Sequence, residues 1–260
     1  MPIIRGLFGD LDAKCSWSNL YYSQLCHLKK EVKKSLKYDW VKNNVYHFAI
    51  GQKNYDMIKQ FGAKKVEMIT PEYTLVPNSK MSPFYNKVYI MKHAMEKFDE
   101  ILFIDFDTFP FGSKKPDKRM WELLRNKKGR FNGEFQAPNA THKRPFCLEK
   151  KQGGFRERRL HPVRRNLNTS TTYCNNKTWI DEWLEHYLEY QELLGGKIRS
   201  KHDEYPLMYY LDKKYGVMDF KDDHSLMIEN FEPAITKLTN VGTPEAQKSK
   251  KRDDLYFLHH

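Results

Sequence analysis

Cysteine is scarce in this chain and has no pattern. Cys15, Cys26, Cys147 and Cys174 include no C-x-x-C pair, so neither a zinc ribbon nor a disulfide framework is indicated, and all four read as reduced thiols. Long apolar runs are missing as well. No stretch is long and apolar enough to span a bilayer, and the start Met1-Pro2-Ile3-Ile4-Arg5 lacks the cationic segment and apolar core of a secretion signal. The expectation is a soluble, cytoplasmic protein. There is no internal repeat or heptad pattern, which argues against solenoids and coiled coils. No helix-turn-helix or zinc-finger signature for reading DNA bases is present either.

What is present is charge of one sign. Lys and Arg number 45 against 33 Asp and Glu, a formal net charge of +12. Such an excess points to polyanionic partners such as nucleic acid, an anionic membrane face or phosphorylated substrates, and says nothing about fold. Much of it is concentrated between Lys143 and Arg165, where Arg156, Arg158, Arg159, Arg164 and Arg165 stand among nine basic residues and meet only Glu149 and Glu157. With Gly153-Gly154 and breaks at Pro145, Phe155 and Pro162, this segment reads as a long mobile loop, and its plainest role is a solvated face.

At 260 residues the chain can build one large domain with a real core. Short β-like runs at Ile3 to Phe8, Val45 to Ile50, Val66 to Ile69 and Ile101 to Phe106 alternate with helical patterns at Asn19 to Tyr38, Tyr55 to Phe61 and Phe84 to Phe98. That alternation predicts α/β units around a mainly parallel sheet with helices on its faces. Right-handed crossovers then gather the strand C-termini on one edge, where open α/β sheets bind ligands. Further on, a short helix is expected at Met120 to Arg125, an amphipathic one at Trp179 to Leu194, and another from about Asp203 to Tyr215.

One motif lies on the expected ligand edge. Ile101-Leu102-Phe103-Ile104-Asp105-Phe106-Asp107 ends an apolar run in two carboxylates one residue apart. In an extended strand these share a side, and such a pair calls for a cation to offset its repulsion. A strand that stops at an acidic turn is the simpler alternative.

The order of elements and the D-x-D at the end of a central strand resemble the GT-A glycosyltransferases. That resemblance implies a Rossmann-like nucleotide-sugar-binding half, residues 1–112, and a variable acceptor-binding half, residues 113–260, in one compact domain. It also implies a divalent ion, Mn or Mg, bridging the diphosphate of a nucleotide sugar, with a UDP-sugar the common donor. Asp107 would be the direct metal ligand, Asp105 would meet ribose or metal through water, and His259, ahead of His260 in a strand-like terminal run, would add an imidazole. That run also fits a simple chain end. His202-Asp203-Glu204 is similar to the H-D-E segment of retaining histo-blood-group-type galactosyltransferases, which implies Glu204 beside the anomeric carbon and Asp203 on donor hydroxyls. The same residues equally suit a helix start with Asp203 as cap.

Other donor contacts are expected at Asp10, Lys80, Tyr85 and Lys87. The hydroxyl-rich run from Asn168 and Thr169 to Thr172 suits sugar hydrogen bonding or an ordinary turn. The basic segment suggests a polyanionic acceptor, with hydroxymethylated pyrimidine in double-stranded phage or viral DNA slightly ahead of a lipopolysaccharide or other glycan. A non-catalytic DNA-binding protein and a metal-dependent nuclease are the alternatives from other classes.

Overall fold

The most apolar run of the chain forms the middle of a sheet, and all four residues of its strand, Ile101 to Ile104, are fully buried. The computed structural model describes residues 2–8, 30–70, 85–106, 108–110, 115–126, 131–135, 146–151, 154–159, 165–193, 206–207, 209–210, 213, 236–238 and 257–259. The strands are β1 (Ile3–Leu7), β2 (Tyr46–Ile50), β3 (Lys65–Ile69), β4 (Ile101–Ile104), β5 (Thr108–Pro110), β6 (Phe131–Phe135), β7 (Phe146–Lys151), β8 (Gly154–Arg159), β9 (Arg165–Cys174), β10 (Thr236–Leu238) and β11 (Phe257–His259). Helices are α1 (residues 30–35), α2 (Asp39–Asn44), α3 (Gln52–Gln60), α4 (Tyr85–Met95), α5 (Lys118–Asn126) and α6 (Lys177–Leu193).

The central sheet has six strands in the order β3-β2-β1-β4-β9-β6. β1 to β4 run parallel, β9 is antiparallel to β4, and β6 is antiparallel to β9. This is the expected α/β architecture, a mainly parallel sheet between helices. Alternation along β4 explains its unbroken apolarity. Ile101 and Phe103 join one core with Ile4, Phe48 and residues of α4 and α6, while Leu102 and Ile104 join the other with Val32, Leu36, Val41, Met57 and Met120. Both faces of a covered parallel sheet must be apolar. Strands β6 and β9, beyond residue 112, complete this same sheet.

Two glycines matter locally. Gly62, just past α3, has φ +92°, the left-handed conformation in which a helix ends without a Cβ clash. Gly6 lets α4 approach β1, because a Cβ there would meet Ile90 Cδ1 at 2.7 Å.

The segment from Lys143 to Arg165, expected as a mobile loop, is instead largely paired. β7 and β8 form an antiparallel ribbon, and Arg165 opens β9. The register sets Glu149 opposite Arg156 and Lys150 opposite Phe155. Backbone pairing of two adjacent runs does not need apolar side chains, so a count of charges alone conceals it. The Asn168 to Thr172 run is also strand, in β9, where Ile104 pairs with Thr171 and Phe103 with Thr172. The described part of the helix expected from Asn19 to Tyr38 is α1, and Tyr38 itself has extended backbone; a separate helix, α2, follows it where none was expected. The predicted helix from Asp203 is helical at each position described between 206 and 213.

Candidate active site

Where β4 ends, a buried cation meets the first carboxylate. Lys87, in the first turn of α4, places its Nζ 3.0 Å from Asp105 Oδ2 and donates to Thr169 Oγ1 at 3.1 Å. Its side chain is 2% exposed and that of Asp105 29%. The ammonium also lies 5.2 Å from the centroid of the Phe103 ring. A lysine is seldom buried unless paired, and here the pair forms at the open edge of the sheet. Thr169 reaches it through an irregularity in β9: between Phe131 and Asn132 the β6 register jumps from Thr172 to Asn168. Residues 169–171 thus lie within a bulge, a usual device for aiming a side chain at a site.

The turn after Asp105 is held from inside. Thr108 N donates to the Asp105 carbonyl at 3.1 Å. Arg5, fully buried in β1, donates from Nη2 to the Thr108 carbonyl and sets its guanidinium 5.3 Å from the centroid of the Phe106 ring. On β2, His47 stands opposite Arg5 in the parallel register, and its ring lies 5.9 Å from that of Phe106. Burial, and then the charge of Arg5, push the His47 pKa down to about 3, so the imidazole is neutral at physiological pH. Neither Arg5 nor His47 was among the residues expected from sequence. The signal was there: a charged residue inside Ile3-Ile4-Arg5-Gly6-Leu7, a strand otherwise apolar or small.

The chain's last described strand arrives at the same turn. β11 pairs with β5 antiparallel, placing Leu258 opposite Phe109 and His259 opposite Thr108. A histidine thus occupies the register position next to the acidic turn. Asp10, Lys80, Asp107, Arg164, Asp203 and Glu204 lie outside the described residues, as do the side chains of His259, Arg156, Arg158, Arg159, Arg165 and Asn168. Among the described residues no three His, Cys, Asp or Glu side chains gather as a metal site. Tyr85, expected at the donor, is fully buried in the core and packs edge-on against Tyr187 with centroids 5.5 Å apart. Its ring supports the start of α4, two residues before Lys87, and is shut off from any ligand as it stands.

The segment following Glu204 is tied to α6. Tyr210 donates to Glu182 Oε2 at 2.6 Å, and Tyr209 and Lys213 donate to Glu189 Oε1 at 2.8 and 2.6 Å. Burial opposes ionisation of Glu189, but these two donors outweigh it and hold its carboxyl below the usual range, while burial and Glu189 raise the Tyr209 phenol. Leu207 and Tyr210 are fully buried.

No protein-family model matches the chain, and no curated protein matches it by sequence. Solved structures match it in shape. Mouse xyloside xylosyltransferase 1, in its apo form, aligns over 100% of this chain and 96% of that one, at 10% identity and a TM-score of 0.51. The chain has the GT-A glycosyltransferase fold. Two further structures align at lower TM-scores. One is a glycosyltransferase involved in the glycosylation of the major capsid of PBCV-1, over 99% of this chain and 92% of that one, at 11% identity and 0.43. The other is the galactosyltransferase LgtC, solved with donor and acceptor sugar analogs, over 100% and 87%, at 11% identity and 0.46. Open α/β sheets bind ligands at the C-terminal ends of their strands, and the Lys87–Asp105 pair lies just past the C-terminal end of β4. None of the described helices is long and apolar enough to cross a membrane.

Proposed function

We propose that this protein is a metal-dependent glycosyltransferase that moves a sugar from a nucleoside-diphosphate sugar to a hydroxyl on a polyanionic acceptor. The observation that carries this is the junction of β4, β5 and β11, where the Lys87-paired Asp105 and the backbone of His259 flank the position of Asp107. The donor set fits a hard or borderline divalent cation, since carboxylate oxygen suits Mg and Mn and imidazole also accepts Mn. Lys87 already offsets the charge of Asp105, which leaves Asp107 and His259 as the residues to hold Mn or Mg and Asp105 to bind donor ribose. When bound, the metal supplies charge neutralisation to the diphosphate as the glycosidic bond breaks. Lys87, itself held by Thr169, fixes the Asp105 carboxylate before the donor arrives, so little reorganisation remains on binding. Asp203 is assigned to donor hydroxyls, and Glu204 to the anomeric carbon, where its carboxylate stabilises the positive charge that develops there.

For the acceptor, the β7–β8 ribbon offers alternating positions. Arg156, Arg158 and Arg159 all fall within its second strand, β8. Such a ribbon suits backbone phosphates, and a hydroxymethylated pyrimidine in DNA is the first acceptor to test, with an anionic glycan second. The test is transfer from a panel of nucleotide sugars with Mn to both acceptors, for the parent and Asp107→Ala. Mn-dependent transfer that Asp107→Ala abolishes in a folded protein is the expected result; unchanged turnover in that variant would refute the metal assignment.

A further inference from the structure

We infer that Arg5 is the positioning residue of the acidic turn, a buried guanidinium that fixes the residues on both sides of Asp107 and aligns them with the terminal strand. This rests on the proposed metal site at Asp107 and His259. Arg5 comes from β1, a different part of the sheet from the turn it holds. Its Nη2 donates to the carbonyl of Thr108, the residue after Asp107, and its guanidinium carbon lies 5.3 Å from the ring centroid of Phe106, the residue before it. Phe106 is 3% exposed, so that contact is sheltered from water, where a cation–π interaction is strongest. Thr108 is at the same time the register partner of His259. One side chain therefore bears on the turn at two points, and through Thr108 on the strand that brings the histidine.

The chemistry requires an arginine. Its planar fork donates in fixed directions and its delocalised charge suits the neighbourhood of an aromatic ring, and it stays charged when buried, whereas lysine offers a compact point charge that loses its proton more readily. His47 completes the seat: it faces Arg5 across the β1–β2 pair, packs on the same Phe106 ring and adds no second buried charge. Asp105, 29% exposed, is the nearest described carboxylate along the turn, and Lys87 approaches it from α4. The turn is thus fixed by one cation on each side of its start, Lys87 at Asp105 and Arg5 at Phe106 and Thr108. Residues that orient ligands in this way typically contribute about 10- to 100-fold to metal affinity.

The test compares the parent, Arg5→Met, Arg5→Lys and Phe106→Leu by Mn titration calorimetry and, without metal, by amide hydrogen exchange. Expected for Arg5→Met is cooperative unfolding, Mn affinity at least about 10-fold weaker and faster exchange confined to residues 106–109, with β2 and β3 unchanged. Arg5→Lys, which retains a donor for the Thr108 carbonyl, recovers part of both losses. Phe106→Leu, which removes the ring beside the guanidinium, shows the same local acceleration. A folded Arg5→Met with parent-like Mn affinity and exchange overturns the inference, and so does acceleration spread evenly over β1 to β3. If the parent itself binds no Mn, the metal reading fails and exchange alone decides Arg5: local acceleration upholds its role, and none or a global one overturns it. Should Arg5→Met not fold, Arg5→Lys and Phe106→Leu decide the matter by the same two readouts, parent-like values in both overturning the inference.

Discussion

Lys87 and Asp105 form the ion pair at the heart of the proposed donor site, and a double-mutant cycle measures it. The ammonium is 3.0 Å from Asp105 and 3.1 Å from Thr169, with the lysine side chain 2% and the aspartate 29% exposed. Removing one member of a fully buried pair costs about 3–5 kcal/mol, because the other charge is left uncompensated. Lys87→Met leaves the charge on Asp105, which is nearly a third open to water, so its cost falls below that range, about 2–3 kcal/mol, with methionine refilling the aliphatic volume. Asp105→Asn leaves the charge on the inaccessible lysine and costs more, about 3–5 kcal/mol. The double variant carries neither orphaned charge. It should therefore be about 2 kcal/mol more stable than the sum of the single losses predicts. Urea unfolding followed by far-UV circular dichroism reads all four proteins, and the midpoints give the cycle if the slopes agree. A coupling below about 0.5 kcal/mol would mean that the two residues are neighbours without being partners, and the account of the site's charge balance would fail.

His47 makes a pH prediction with a definite sign. Its pKa is about 3 folded against 6.5 for the free side chain, so the unfolded chain takes up the proton first as pH falls. The stability it contributes is whole above about pH 6.5 and is lost on going down toward pH 3, with a slope approaching about 1.4 kcal/mol per pH unit. His47→Leu should flatten the dependence between pH 7 and pH 5 by about that slope, and urea midpoints that shift equally in both proteins would contradict it. Gly6→Ala should destabilise by about 1–3 kcal/mol, because its Cβ meets Ile90 Cδ1 at 2.7 Å and both Ile90 Cγ2 and Phe103 Cε2 at 3.3 Å. Adding Ile90→Val removes the nearest methyl and should restore stability; a double variant no better than Gly6→Ala would show that helix α4 is not the obstacle. Replacing Arg156, Arg158 and Arg159 together by Ala should weaken DNA binding and lower its log–log salt slope by about 2–3, since each neutralised phosphate contributes about 0.9. An unchanged slope, or no DNA binding by the parent at low salt, would remove DNA as the acceptor.

Patterns that repeat along the chain were legible before any coordinates. The apolar run at Ile101 to Ile104 reads as a strand, and the alternation of β-like and helical runs points to helices flanking a mainly parallel sheet. The acidic residues at the end of that run marked the open edge. Lys87 was among the expected donor residues, but its pairing with Asp105 was not foreseen. Tyr85, two positions away, shows the limit of such reasoning: a tyrosine near a ligand edge is as often core, and only packing against Tyr187 decides it. The basic ribbon β7–β8 and the threonines of β9 were misread because charge and hydroxyl content obscure a period of two, and their strand state depends on partners elsewhere in the chain.

By itself the sequence determined the local elements, the mainly parallel sheet between helices and the acidic end of its central strand, because each follows from residues adjacent in the chain. Tertiary structure alone decided what surrounds that strand end. Arg5 reaches Thr108 from β1, His47 faces Arg5 from β2, Thr169 meets Lys87 through a bulge in β9, and His259 pairs with Thr108 from β11. Those contacts join residues far apart in sequence, and no local periodicity encodes which distant strand will lie beside another.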